Sequence, residues 1–167
     1  MKLITSIEAL TRLSGHIAAL LVLPLIGSLV FEVFSRYVFD SPTLWAFEVS
    51  YMVMGAIFML GIANALRLGQ HVSVDVATLK LSPRVNAALR AFFYLLFLPI
   101  VCWICIELYL YFYEAFESNE RSGRSAWNPV MWPVYLIWFV GLTTLSLQIF
   151  AEMLKSTQTA LGREVKL

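Results

Sequence analysis

Four long apolar runs, almost free of charged residues, constrain the fold of this chain more than any other feature. They cover approximately residues 13–36, 45–66, 88–113 and 130–152. A helix needs about 20 apolar residues to cross the ~30 Å hydrocarbon core of a bilayer, and each run is long enough. Because lipid offers the backbone no hydrogen-bond partners, such runs must form helices. The sequence therefore predicts an all-α membrane protein with four transmembrane helices.

The segments between these runs are too short to form a separate soluble domain. The runs take up more than half of the 167 residues, and 60% of the chain is hydrophobic. We therefore predict a single integral membrane domain over residues 1–167. Short amphipathic helices at the membrane surface are expected at the start of the chain, where Leu3, Ile7 and Leu10 share one helical face, and again after residue 71.

The distribution of Lys and Arg predicts the orientation in the membrane. With four spans, the N-terminus, the middle connection and the C-terminal tail lie on one side. That side holds nine of the twelve basic residues: Lys2, Arg12, Arg67, Lys80, Arg84, Arg90, Lys155, Arg163 and Lys166. Both termini are therefore expected in the cytoplasm. The net charge of +1 gives no reason to expect a nucleic-acid partner.

Few residues in the chain could support catalysis. Cys102 and Cys105 have the spacing of a redox pair, so a membrane thiol oxidoreductase is one alternative function. Both lie well inside the third span, where a thiolate is disfavoured, and apolar packing is the simpler interpretation. His16 and His71 are the two histidines, too few for a zinc or haem site. We predict no catalytic residue, metal or cofactor in this chain.

Charged residues at the edges of the spans are better candidates for a role. Glu32 and Arg36 lie one helical turn apart, and Glu48 follows Trp45 just after the next turn of the chain. Charges so close to hydrocarbon are expected to be paired. We predict that Arg36 pairs with Glu32, with Glu48 or with both, and so ties the first span to the second.

Glu107 stands alone among apolar residues in the third span. The simplest interpretation is a hydrogen bond between helices or exposure near the outer surface. Proton or ion coupling is the alternative.

A polar stretch between the second and third spans has the most specific residue order in the chain. It reads Arg67-Leu-Gly69-Gln-His71-Val-Ser-Val-Asp75. Gly69 permits a backbone turn that other residues resist, and Asp75 can accept backbone N–H bonds at the start of a following helix. We predict that His71 and Asp75 fix this turn and contribute to contact with a partner.

This residue order resembles the small membrane subunit (DctQ type) of tripartite ATP-independent periplasmic (TRAP) transporters. The resemblance rests on the polar stretch just described together with Phe34-Ser-Arg36-Tyr-Val-Phe, Trp45-Ala-Phe-Glu48, Gly61 and Leu81-Ser-Pro83. The Arg-x-Gly-x-His-Val-x-Val-Asp part is its specific element. The outer connection and the fourth span carry no motif of this kind.

The resemblance implies a non-catalytic subunit of a secondary transporter in the bacterial inner membrane. In that family a large multi-span subunit carries the substrate and sodium sites, and a periplasmic solute-binding protein delivers a small organic anion. The small subunit would brace the large one and widen the docking surface, with membrane lipid around it. The sites for partner contact would be Glu32, Arg36, Trp45, Glu48, Arg67, Gly69, His71 and Asp75. A generic membrane scaffold subunit is a further alternative.

Overall fold

The computed structural model describes residues 2–70 and 82–162. In these two ranges the helices are α1 (Lys2–Leu20), α2 (Val22–Val38), α3 (Ala46–Arg67), α4 (Pro83–Glu117) and α5 (Trp132–Ala160). α1 and α2 continue one another, so the described chain has four helical segments long and apolar enough to cross a membrane. The prediction of a four-span, all-α membrane protein is confirmed.

The first helix begins well before residue 13. α1 starts at Lys2, so the segment expected to form a separate surface helix is the first part of the spanning helix. The helix is interrupted only at Leu21, where backbone bonds from Leu21 to Ile17 (3.0 Å) and from Leu25 to Leu21 (3.2 Å) preserve the i→i−4 pattern. Pro24, three residues on, lacks an N–H group and disfavours regular helix at this point.

α4 has a clear start and exceeds the thickness of a bilayer. The hydroxyl of Ser82 accepts a hydrogen bond from the backbone N–H of Val85 at 3.4 Å, and Pro83 occupies the first helical position. Both features follow the Ser-Pro pattern typical of a helix start. With 35 residues, α4 is about 50 Å long and extends beyond the hydrocarbon core.

α3 and α5 form the centre of the bundle, with α1–α2 packed on α3 and α4 packed on α5. Gly141 sets the distance between the two central helices. A Cβ atom at this position would lie 2.6 Å from the carbonyl carbon of Met59 on α3. Only glycine allows this approach, and small residues at helix contacts are common in membrane bundles.

α4 contacts α5 along a single narrow stripe. The stripe residues are buried or half-buried, and their spacing alternates between four and three: Ala87, Ala91, Tyr94, Leu98, Val101, Cys105, Leu108, Phe112 and Ala115. This seven-residue repeat is typical of two helices that pack side by side along their length. The remaining surface of α4, most of its circumference, faces away from the bundle.

The two ends of the bundle are distinct. At the loop end, defined by residues 39–45 and 118–131, the two connections lie together. At the terminal end, Lys155 of α5 forms an ion pair with Glu8 of α1. Beside it, Thr11 donates a hydrogen bond to Oε1 of Gln148 at 2.9 Å, and both residues are fully buried. These contacts place the start of α1 and the end of α5 on the same side.

Candidate functional site

Glu48 is the most deeply buried charged residue among those described. It lies in the first turn of α3 and is 0% exposed. Its Oε1 atom accepts a hydrogen bond from the hydroxyl of Ser125, in the connection between α4 and α5. Within the described part of the chain, no group bonds its Oε2 atom. The carboxylate therefore anchors the outer connection to the helix bundle.

The connection itself is folded around Ser125 and Asn128. The Ser125 hydroxyl also accepts backbone N–H bonds from Trp127 (3.2 Å) and Asn128 (3.4 Å). The side-chain carbonyl of Asn128 accepts the N–H of Gly123 at 2.9 Å. Asn128 has a positive φ of 46°, a conformation that Asn adopts more readily than most residues. A short polar segment is thereby given a defined shape.

A half-open cleft of about 360 Å³, with both polar and apolar lining, lies beside this connection. Its polar lining comes from Tyr51, Tyr111, Glu120, Ser122, Arg124 and Tyr135. The guanidinium of Arg124 lies 4.8 Å from the centroid of the Tyr51 ring, within the range of a cation–π interaction. The Tyr135 hydroxyl donates to Glu120 at 3.2 Å. These contacts order Glu120 and Arg124, two charged residues of the connection.

The corner between α2 and α3 is held by Glu32. Its Oε2 atom accepts bonds from the backbone N–H of Thr43 (3.0 Å) and from the Thr43 hydroxyl. That hydroxyl in turn accepts the N–H of Ala46, at the start of α3, at 3.3 Å. Phe31 of α2 stacks on Trp45 with ring centroids 5.7 Å apart. The first two spans are thus tied together through Thr43.

Arg36 has a smaller part in this corner than predicted. It pairs with Glu32 on its own helix, with Nε 3.0 Å from Oε1, as expected from the four-residue spacing. Glu48, the alternative partner predicted for Arg36, is not among its contacts, because Glu48 is buried beneath Ser125. The Arg36 side chain is 55% exposed, against 16% for Glu32. Arg36 therefore does not itself join the two spans.

At the terminal end, α3 finishes with the turn predicted at Gly69. The Gly69 N–H bonds the carbonyl of Leu66 and the Gln70 N–H bonds that of Ala65, both at 3.0 Å. Gly69 has a φ of +68°, which a residue with a Cβ resists. Arg67 donates to the side chain of Asn64 at 3.0 Å. His71 and Asp75 lie outside the described residues.

The two cysteines are free thiols in different surroundings. Cys105 is buried against α5, with its sulfur 3.4 Å from the hydroxyl of Ser146, and Cys102 is exposed. Among residues 2–70 and 82–162, no group of three or more His, Cys, Asp or Glu side chains could hold a metal ion. The arrangement of Cys105 supports a packing role.

The model of one protein family matches residues 25–159, and its description is "Tripartite ATP-independent periplasmic transporters, DctQ component". The match covers most of the four spans. The chain belongs to the DctQ family. No solved structure is detectably similar to this DctQ chain.

A curated relative is similar over part of its length. The "Sialic acid TRAP transporter permease protein SiaT" of Haemophilus influenzae (strain 86-028NP) is 28% identical over 103 residues. The alignment takes up 62% of the DctQ chain but only 16% of that relative. The DctQ chain therefore corresponds to a small part of a much longer permease.

The structure separates the predicted contact residues into two groups. Glu32, Arg36, Trp45 and Glu48 are at the loop end, and Arg67 and Gly69 are at the terminal end. Ser125, Thr43 and Gln148, which complete the polar contacts, were not predicted from the sequence. Serine, threonine and glutamine are common in connections and span ends, so a single sequence carries no signal that marks these three.

Proposed function

We propose that this DctQ chain is the non-catalytic small permease subunit of a TRAP-type secondary transporter. It braces the large membrane subunit and forms part of the surface on which a periplasmic solute-binding protein docks. The transported solute is a small organic anion, and uptake is driven by an ion gradient, with the sodium ions bound in the large subunit.

The observation that carries this proposal is the hydrogen bond from Ser125 to the fully buried Glu48. It fixes a polar connection of the chain on top of a rigid helix pair. A surface held in one shape loses little conformational entropy when a partner docks, which favours binding. The connection also presents Arg121 and Arg124 beside Glu117 and Glu120, a mixture of charges suited to a protein partner.

The interior of the bundle supports a scaffold function rather than a path for solute. In the described spans, the contacts between central helices are made by apolar residues such as Ala63, Leu145 and Ile149. Transporters of this type bind substrate near the middle of the membrane, at broken helices with polar groups. The aligned part is only 16% of the SiaT permease, so most of that relative has no counterpart in this chain. This difference in length supports a separate large partner for this chain.

The loop end is assigned to the periplasm in this proposal. The excess of Lys and Arg in the segments at the terminal end supports a cytoplasmic location for that end. The defined connection then faces the compartment in which a solute-binding protein diffuses.

Reconstitution in proteoliposomes tests the proposed function. Sialic acid, named in the relative, is the first solute to try, followed by small dicarboxylates. The chain together with a large subunit and a binding protein is expected to take up solute when a sodium gradient is imposed. Omitting any one of the three should reduce uptake to that of empty liposomes. Uptake by the chain alone, or unchanged uptake without it, contradicts the proposal.

A further inference from the structure

Glu107 of α4 lies on the side of the helix that faces away from the bundle. It is exposed, and it follows Cys105, a residue of the α4–α5 stripe, by two positions. Two residues correspond to about 200° of rotation around a helix with 3.6 residues per turn. Trp103, one turn earlier, is 64% exposed on the same outer face.

Glu107 also lies within the apolar stretch of α4. The nearest charged residues along α4 are Arg90 and Glu114, so the carboxylate interrupts a stretch that is otherwise without charge. Glu107 lies about 10 Å along the helix axis from Glu114 at 1.5 Å per residue. Membrane lipid at this depth is hydrocarbon, which has no hydrogen-bond donors.

The side chain of Glu107 points toward the N-terminus of α4, away from the loop end. Its Oε1 atom accepts a hydrogen bond from the indole N–H of Trp103 at 3.0 Å. Trp103 is one turn further from the loop end than Glu107. Side chains on a helix lean toward the N-terminus, and here this direction leads deeper into the span. The carboxylate is therefore directed away from Glu114 and the loop end.

The two oxygens of a carboxylate can accept about four hydrogen bonds. The indole N–H of Trp103 supplies only one of them to Glu107. Three other acids at the ends of the spans are bonded within the chain. Glu48 bonds Ser125, Glu32 bonds Thr43, and Glu152 bonds Lys155 at 2.7 Å. Placing an acidic side chain in hydrocarbon costs about 2–3 kcal/mol or more. The exposed side of Glu107 is therefore expected to be covered by another protein.

We propose that the outer face of α4 formed by Trp103, Glu107, Leu110 and Glu114 is the contact surface for a transmembrane helix of the large subunit, and that this helix donates a hydrogen bond or a cationic side chain to Glu107. The inference rests on the proposed function, which supplies the large partner. The four residues are spaced by four, three and four, so they form one straight stripe that a single helix can follow.

Charge complementarity favours this occupant over a second copy of the chain. A symmetric dimer through this stripe would place the two Glu107 carboxylates against each other, because the same patch is used on both sides. Such like-charge contacts in a low dielectric are unfavourable. A different membrane protein can instead supply the missing donor.

The test is co-purification of the large subunit with an affinity-tagged small subunit from membranes that contain both. Glu107→Leu is expected to weaken the association roughly three- to tenfold, the effect of one hydrogen bond between membrane helices. Glu107→Gln still accepts a hydrogen bond. It should retain most of the association if the donor on the large subunit is neutral, and less of the association if that donor is a cation. Glu114→Leu compares the two depths on the stripe. Glu114 lies near the membrane boundary, where water can bond its carboxylate, so this change should weaken the association less than Glu107→Leu does.

Photo-crosslinking identifies the neighbour directly. A photoreactive residue in place of Leu110 is expected to crosslink to the large subunit, whereas one in place of Leu29, on the exposed side of α2, should not. Crosslinking of position 110 to lipid alone or to a second copy of the chain overturns the inference. So does unchanged recovery of the large subunit with Glu107→Leu. If the unaltered chain recovers no large subunit, the proposed function itself fails, which is a distinguishable result.

Discussion

The hydroxyl of Ser125 donates a hydrogen bond to the carboxylate of Glu48 across 77 positions of the chain. This one contact joins the least regular described segment of the molecule to the central helix α3. Because Glu48 is fully buried, the contact is shielded from water and from salt. The bond therefore joins the connection to the interior of the bundle.

Removal of the Ser125 hydroxyl is expected to loosen the connection. Ser125→Ala leaves the Glu48 carboxylate without its donor, which should cost about 1–3 kcal/mol. The measurement is the rate of trypsin cleavage after Arg121 and Arg124 in detergent-solubilised protein, which should increase, together with a lower melting temperature. Ser118→Ala is the control, since that exposed hydroxyl bonds only the Glu114 carbonyl in its own helix. Equal cleavage rates in the two variants contradict a structural role for the bond.

Glycine at position 141 is expected to be essential for the contact of α3 with α5. Gly141→Ala places a methyl group against the Met59 backbone, so the two central helices must separate. Overpacking of this kind costs about 1–3 kcal/mol. Gly27→Ala is the matched control in α2, where an added Cβ meets nothing within 4 Å. Thermal unfolding should show a lower melting temperature for the first variant and an equal or higher one for the second.

The buried pair at the terminal end should couple α1 to α5 energetically. Thr11→Val and Gln148→Leu each remove one side of the 2.9 Å hydrogen bond. A double-mutant cycle is expected to give a coupling energy of about 1 kcal/mol, because each single variant leaves a buried polar group unpaired. Thr159→Val is the control, with an exposed hydroxyl that bonds only its own helix. Additive effects of the two changes would show that the contact contributes nothing.

The spans, the cap at Ser82 and the turn at Gly69 could be predicted from the sequence because each depends on neighbouring residues. Apolar length determines a span, and a cap or a positive φ depends on a few adjacent positions. The partners of Glu48 and Thr11 could not be predicted, since Ser125 and Gln148 are distant in the sequence and are brought near only by the packing of α5. For Arg36, four-residue spacing correctly predicted the pair with Glu32, but the burial of Glu48 prevented the second pair.

The two charged residues of the corner between α2 and α3 are expected to differ in how much they contribute to stability. Arg36 is half-exposed and bonds only Glu32 among its recorded contacts, whereas Glu32 also holds Thr43, which caps α3. Arg36→Ala is therefore expected to lower the melting temperature only slightly, as for most exposed ion pairs. Glu32→Ala should lower it considerably more, because the N–H and hydroxyl of Thr43 both lose their acceptor.

Glu32→Gln separates the charge of this residue from its role as an acceptor. The amide oxygen can still accept from Thr43, while the ion pair with Arg36 is lost. A melting temperature close to that of Arg36→Ala would show that the bond to Thr43 holds the corner. A decrease as large as that of Glu32→Ala would show instead that the charge is needed, and the hydrogen-bonded corner would then be the wrong explanation.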